Sequence, residues 1–160
     1  MRVALIADIH ANQPALEAVL ADLPPVDSVV CLGDIVGYNP MPEACLKLVQ
    51  EHVDVIVQGN HDRLIETPIR MTGNRMARAG LGYAKEVLST EQREWLQSLP
   101  QQAMVDDTYL AVHSHPTRTG SYVHPDTVET LGGLVDEYTG VVLAHTHLPD
   151  IPTLNDTLIV

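Results

Sequence analysis

Basic residues, cysteines and long apolar runs are all scarce in this chain. Its 160 residues hold 9 Lys and Arg against 21 Asp and Glu, which gives a formal net charge of −12. Such a charge repels phosphate backbones and anionic lipids, so we expect neither extended nucleic acid nor a membrane as a partner. The first apolar run is short and ends at Asp8, so we expect no secretory signal, and no run is long enough to span a bilayer. These absences favour a cytoplasmic protein.

The two cysteines do not form a redox or metal motif. Cys31 and Cys45 lie in apolar surroundings and lack CxxC spacing, so we expect buried free thiols. Apolar residues make up 45% of the chain, and a length of about 150 residues is common for one domain. We therefore expect residues 1–160 to form a single domain.

The first third of the chain repeats one pattern, in which a short apolar run is followed by a polar cluster and an amphipathic stretch. Strands are predicted at 3–7, 28–32, 53–57, 108–112, 140–144 and 157–160. Helices are predicted at 14–23, 45–52, 68–88, 89–99 and 125–138. The alternation indicates an α/β protein whose first strands form a parallel sheet.

Polar side chains follow five of these predicted strands. They are Asp8, His10, Asp34, Asn60, His61, Asp62, His113, His145 and His147. Because ligands of open α/β sheets bind beyond the carboxyl ends of the strands, five such clusters are expected to form one site. So many carboxylates and imidazoles would be costly to bring together without a bound metal.

Each cluster alone also has a simpler interpretation. Asp8 fits a helix cap, Asp34 fits a turn, and His145 with His147 would suit one metal or two neighbouring ones. Because all of these clusters occur together and in this order, the simpler interpretation of each one alone is weak. The other histidines, His52, His115 and His124, are assigned packing or surface roles, and His115 is also a candidate for lining the pocket.

In chain order, the motifs resemble those of the calcineurin-like metallophosphoesterases. They are Asp8-Ile9-His10-Ala11-Asn12, Gly33-Asp34, Gly59-Asn60-His61-Asp62, His113 and His145-Thr146-His147. The stretch from Cys31 to Tyr38 is similar to the small prokaryotic phosphodiesterase branch. The resemblance implies two mixed β-sheets packed as a sandwich and flanked by helices.

The resemblance also implies two divalent metal ions. Asp8, His10 and His147 would bind the first ion, Asn60, His113 and His145 the second, and Asp34 both. Nitrogen and oxygen donors without thiolate suit Mn, Fe, Zn, Co or Ni, and we favour manganese.

The same resemblance implies a reaction. A metal-bridging hydroxide would hydrolyse a small phosphorylated substrate, with a phosphodiester favoured over a phosphomonoester. His61 would protonate or stabilise the leaving oxygen, and Asp62 would orient His61.

Departures from the family pattern lead to further expectations. Ala11, Ser114 and Ala144 stand where Gly is usual, so strain is expected wherever their φ is positive. Relatives usually continue with a further strand, so Leu158, Ile159 and Val160 are expected to form an exposed edge that favours a homo-oligomer.

Two alternatives to this enzyme remain. The first is a non-catalytic metal-binding scaffold of the same fold, similar to the retromer subunit of the superfamily. The second is a different metallohydrolase of the β-lactamase-like type, although its H-x-H-x-D-H run is absent.

Overall fold

A computed structural model describes residues 1–67, 74–154 and 157–160 of the chain. The described residues form eight strands in two sheets, together with five α-helices. The strands are β1 (Val3–Ile6), β2 (Ser28–Cys31), β3 (Val55–Ile56), β4 (Gln102–Val105), β5 (Tyr109–Val112), β6 (Gly140–Val142), β7 (Thr153–Leu154) and β8 (Thr157–Ile159). The helices are α1 (Gln13–Asp22), α2 (Pro42–His52), α3 (Asn60–Leu64), α4 (Arg75–Val87) and α5 (Thr90–Ser98).

The first sheet is parallel, in the order β1-β2-β3, and helices cover one of its faces. α1 begins where the Asn12 side chain accepts a hydrogen bond from the backbone N–H of Ala15 at 3.3 Å, with Pro14 in the first turn. α2 buries Cys45 and Val49 against the same face. The predicted alternation of strands and helices is confirmed, although β3 is shorter than the run 53–57 suggests.

The second sheet has five strands in the order β4-β5-β6-β8-β7 and is mixed. β4 and β5 form an antiparallel hairpin, whereas β5, β6 and β8 run parallel. The prediction of an exposed edge at the end of the chain is wrong, because β8 lies between β6 and β7. Antiparallel pairing with β7, which the sequence did not predict, covers that edge.

The two sheets pack face to face. Val30 of the first sheet and Val57, which directly follows β3, share a buried cluster with Val105, Ala111 and Val142 from the second sheet. A 3-10 segment at Pro125–Glu137 covers the outer face of the second sheet. The two-sheet sandwich flanked by helices is therefore confirmed.

Two of the three remaining predicted helices are present as α-helices. The helix predicted at 68–88 is present as α4, and residues 68–73 lie outside the described residues. Ser89 and Gln92 form the expected capping box of α5. The segment at 125–138 is 3-10 rather than α-helical, and Gly132, which has φ 54°, interrupts it.

Both cysteines are free and fully buried, as predicted. Burial raises the pKa of Cys31 to about 12 and that of Cys45 to about 11, so both thiols stay protonated near neutral pH. Among the described residues, no helix is long and apolar enough to cross a membrane.

Candidate metal centre

The loops that follow β1, β2, β3, β5 and β6 bring the predicted polar residues to one edge of the sandwich. Asp8 and His10 follow β1, Asp34 follows β2, and Asn60 begins α3 after β3. His113 directly follows β5, and His145 and His147 come after β6. Their side chains form clusters whose potential metal-binding atoms lie within 4.8 Å of one another, so the predicted convergence is present.

Five of the predicted site residues in these loops have left-handed backbone. They are Asp8 (φ 50°), His10 (φ 48°), Asp34 (φ 55°), His145 (φ 71°) and His147 (φ 58°). Left-handed backbone costs a non-glycine residue about 1–2 kcal/mol, so other contacts must maintain it. The loops after β1 and β2 supply such contacts, since the N–H of Asp8 donates to the carbonyl of Gly33 at 3.1 Å and the N–H of His10 to that of Asp34 at 2.8 Å.

The strain expected at the replaced glycines is present at one of three positions. Ala11 has φ 56°, whereas Ser114 and Ala144 are not among the residues with positive φ in the described part of the chain. The N–H of Ala11 donates to the carbonyl of Ile35 at 2.8 Å, which helps to maintain its backbone conformation.

The first cluster contains Asp8, His10 and His147. Oδ1 of Asp8 is 3.8 Å from Nε2 of His10 and 3.3 Å from Nε2 of His147. The two Nε2 atoms are 3.3 Å apart. Oδ1 of Asp8 is buried and has no hydrogen-bond partner among the described residues, although such an atom is costly to leave unpaired. A cation among these three atoms would satisfy it.

The second cluster contains Asp34, His113 and His145, with Asn60 beside it. Nε2 of His113 is 3.4 Å from Oδ2 of Asp34 and 3.0 Å from Oδ1 of Asn60. Oδ2 of Asp34 is also 3.8 Å from Nε2 of His10 in the first cluster. The Asp34 carboxylate therefore lies between the clusters, where the sequence predicted a shared ligand.

Backbone carbonyls orient three of the imidazoles. Nδ1–H of His10 donates to Val36 at 3.2 Å, and Nδ1–H of His113 donates to Leu32 at 2.7 Å. His145 donates from its other nitrogen, Nε2, to Gly120 at 3.2 Å. One ring nitrogen of each imidazole is thus bonded to a backbone carbonyl, as is usual for histidines that bind a metal through the other ring nitrogen. The residues present fit a centre for divalent cations.

The charge of the centre also favours cations. Burial raises the pKa of Asp34, but the imidazoles of His113, His61 and His10 outweigh it and hold this pKa below its usual value. Burial lowers the pKa of His113, yet its contact with Asp34 and the charges of Asp34 and Asp8 raise it to about 9. Asp34 therefore stays ionised and draws positive charge to the cluster.

His61 lies at the boundary of both clusters. It forms a third group with His10 and Asp34, and its ring packs edge-on against His10 with centroids 4.7 Å apart. Its Nδ1 is buried without a hydrogen-bond partner among the described residues, beside Gly37. Gly37 has φ 97°, and a Cβ atom there would lie 2.2 Å from Nδ1 of His61. Only glycine leaves room for this ring.

The expected hydrogen bond between Asp62 and His61 is not found among the described contacts. Oδ1 of Asp62 accepts from the N–H groups of Ile35 at 2.9 Å and Val36 at 3.2 Å, and Oδ2 accepts from Gly59 at 3.0 Å. The sequence interpretation missed this because it considered only side-chain partners. Asp62 instead joins the loop after β2 to the start of α3.

Burial and the charge of Asp34 raise the pKa of Asp62 to about 7, despite its backbone donors. Asp62 is fully buried, so water cannot replace these amide contacts. Asp62 holds together the loops that carry Asp34 and Asn60.

Two tyrosines beside the centre were not predicted as site residues. The Tyr38 ring stacks on His61 with centroids 5.0 Å apart, and the Tyr122 ring stacks on His145 at 4.2 Å. Tyr38 ends the stretch that resembles the phosphodiesterase branch, which was a usable signal, whereas no sequence pattern indicated Tyr122. His115 is buried, with both ring nitrogens hydrogen-bonded, as expected for a packing residue.

Comparisons with known proteins identify the same family as the motifs do. The model of the calcineurin-like phosphoesterase family matches residues 1–156. An uncharacterised protein of Methanocaldococcus jannaschii is 30% identical over 155 residues, which cover 92% of this chain and 63% of the relative. The crystal structure of a metallophosphoesterase from Sphaerobacter thermophilus is 36% identical with a TM-score of 0.78, and the match covers 93% of this chain and 62% of that chain.

A hypothetical protein of Pyrococcus horikoshii shows the same fold at 23% identity and a TM-score of 0.81, over 99% of this chain and 74% of that one. The chain thus spans a little over three fifths of the length of the relatives from Methanocaldococcus and Sphaerobacter.

Proposed function

The chain belongs to the calcineurin-like phosphoesterase family, and from this premise we propose that it hydrolyses a small phosphoester with the help of two divalent metal ions. The observation that carries the proposal is the position of Asp34. Its Oδ2 atom is near His10 in one cluster and near His113 in the other. One carboxylate shared by two sets of ligands is the arrangement that a two-ion phosphoesterase needs.

The proposed ligands are divided between the ions as follows. Asp8, His10 and His147 would hold one ion, Asn60, His113 and His145 the other, and Asp34 both. When bound, the ions would activate a water molecule for attack on phosphorus and stabilise charge on the phosphoryl oxygens. We propose manganese for both positions, and the nitrogen and oxygen donors would also suit Fe, Zn, Co or Ni.

Asp8 and Asp34 would offset half of the charge of two divalent ions, because the other proposed ligands are neutral. The centre would then attract a phosphate group although the chain as a whole carries −12.

His61 would act as the proton donor to the leaving oxygen. It stands beside His10 and Asp34, and its Nδ1 has no partner among the described residues that would hold the proton elsewhere. The backbone N–H of His61 donates to Oδ1 of Asp34 at 2.7 Å, so the backbone that carries this ring is anchored to the proposed shared ligand. Stacking on Tyr38 limits its rotation.

We propose a small phosphodiester as the preferred substrate over a phosphomonoester, on the strength of the resemblance between residues 31–38 and the prokaryotic phosphodiesterase branch. A small substrate agrees with the net charge of −12, since a long phosphate backbone would be repelled outside the centre.

The test is hydrolysis of bis-p-nitrophenyl phosphate and p-nitrophenyl phosphate by the manganese-loaded protein. We expect both to be cleaved, the diester faster, and we expect activity to vanish when a chelator removes the metal. His52→Ala is the matched histidine control, because His52 ends α2 away from the centre and should not affect turnover. Metal binding without hydrolysis of any phosphoester would reject the enzyme and leave the scaffold function.

A further inference from the structure

A small cavity opens beside the second cluster. Its volume is about 190 Å³, and Asn60 and His113 form part of its wall. Pockets for drug-sized ligands occupy about 300–1,000 Å³, so this cavity would take one small chemical group rather than a nucleoside. Because two proposed ligands line it, any group inside it would lie next to a phosphate held at the centre.

The cavity differs in charge from the rest of the molecule. The chain carries 21 acidic residues, but none of the twelve residues that line the cavity in the described ranges is Asp or Glu. Arg63 is one of the twelve, although Lys and Arg together number only 9 in the chain. The cavity therefore suits an anion better than a cation.

Arg63 lies three residues after Asn60 in α3, and residues three apart share one face of a helix. The end of this helix is fixed from α5, since Nε2 of Gln97 donates to the carbonyls of Asp62 at 2.8 Å and Arg63 at 3.1 Å. The Arg63 guanidinium makes no hydrogen bond or ion pair with the residues that the structure describes. Its donors remain available, and guanidinium donors match phosphate oxygens in geometry.

Carboxamide groups complete the polar wall. Gln58 is buried and fixed by donation from its Nε2 to the carbonyl of Leu96 at 2.7 Å. Gln101 and Gln102 are exposed at the start of β4, and Gln102 pairs in register with Val112, the residue before His113. The side-chain amides of these glutamines can donate hydrogen bonds to phosphate oxygens without adding negative charge.

We propose that this cavity binds a second phosphate group of the substrate, with Arg63 as its main contact. The inference rests on the proposed function, since it places the reacting phosphate at the metal centre. It makes the substrate class a phosphoester that carries a second phosphate next to the one attacked, as in a pyrophosphate-linked compound.

The test compares the binding of methylenediphosphonate and inorganic phosphate to the manganese-loaded protein by isothermal titration calorimetry. Methylenediphosphonate carries two phosphonate groups joined by a methylene group, whose P–C bonds are not hydrolysed. We expect Arg63→Gln to lower the ratio of the two affinities about tenfold, which is the lower end for a hydrogen bond to a charged group. Arg2→Gln is the matched control, because it removes the same charge at the opposite end of β1 and should leave the ratio unchanged.

A second pair of variants covers the case in which Arg63→Gln does not fold. Gln102→Glu introduces a negative charge into the cavity wall and should lower the same ratio, whereas Gln50→Glu adds this charge at an exposed position of α2 and should not. An unchanged ratio in Arg63→Gln or in Gln102→Glu would overturn the second-phosphate site. Failure of the wild type to hydrolyse any phosphoester would reject the proposed function alone, since the affinity ratios do not depend on turnover.

Discussion

Replacing Asp62 by Asn tests whether this carboxylate acts by joining two loops. In the native protein its oxygens accept from the N–H groups of Ile35, Val36 and Gly59. The carbonyl of Val36 in turn accepts from Nδ1 of His10. An Asn side chain has one oxygen, so its NH₂ group would face the N–H of either Gly59 or the loop after β2.

The loss can be estimated from these contacts. A buried donor left without an acceptor costs about 1–3 kcal/mol, and above pH 7, where the Asp62 carboxyl is ionised, the remaining hydrogen bonds also lose their charge assistance. A destabilisation of about 2 kcal/mol lowers Tm by roughly 4–8 °C in a domain of this size. Because Ile35 and Val36 directly follow Asp34, we also expect the affinity for manganese to fall about 10–100-fold.

Thermal unfolding and manganese titration of Asp62→Asn measure both effects. Asp54→Asn is the matched control, since Asp54 accepts one backbone hydrogen bond, from Val29 at 2.8 Å, which Asn can also accept. The Tm of Asp54→Asn should fall by less than half as much as the Tm of Asp62→Asn. A variant that loses turnover while Tm and manganese affinity stay at wild-type values would refute the account and return Asp62 to a role through His61 alone.

Three further predictions concern single side chains. His61→Ala should lower turnover about 10²–10⁴-fold with little loss of metal, least for substrates with good leaving groups; loss of metal in elemental analysis would instead make His61 a ligand. Gly37→Ala should also lower turnover, because its Cβ would lie 2.2 Å from Nδ1 of His61 at a residue with φ 97°; steady-state rates equal to wild type would contradict this. Hydrogen bonds from Lys85 and then Arg93 lower the pKa of Glu66, so its contribution to stability is present above pH 4.5 and is lost as pH falls through the lower folded value. Glu66→Gln should therefore cost about 0.5 kcal/mol at pH 7, because Glu66 is partly exposed, and progressively less as pH falls far enough to protonate Glu66 in the folded protein; urea unfolding that shows no decrease in this difference towards acid pH would contradict it.

The helices and parallel strands were predictable because local patterns determine them. The capping box of Ser89 and Gln92 marks the start of α5, and Pro14 lies in the first turn of α1. Strand β4 was missed because its sequence offers only a short apolar run. Its hairpin turn contains Asp106 and Asp107, both with positive φ, and Asp-Asp is a weaker turn signal than Asn-Gly.

The residues that form the site were predictable because polar residues follow successive strands, and sheet topology brings those strand ends together. Its internal contacts were not. The left-handed backbone at Asp8 and Asp34 depends on hydrogen bonds between loops that are distant in sequence. The amide partners of Asp62 are backbone groups, which leave no trace in residue identity.

The number of manganese ions per chain tests the two-ion centre most directly. Elemental analysis of the reconstituted protein should find about two ions per chain. His147→Ala should reduce the number to about one, because His147 belongs to the first cluster and its side chain is exposed enough to be removed without disturbing the core. Asp34→Asn should reduce the occupancy of both positions. One ion or none in the wild-type protein would contradict the account.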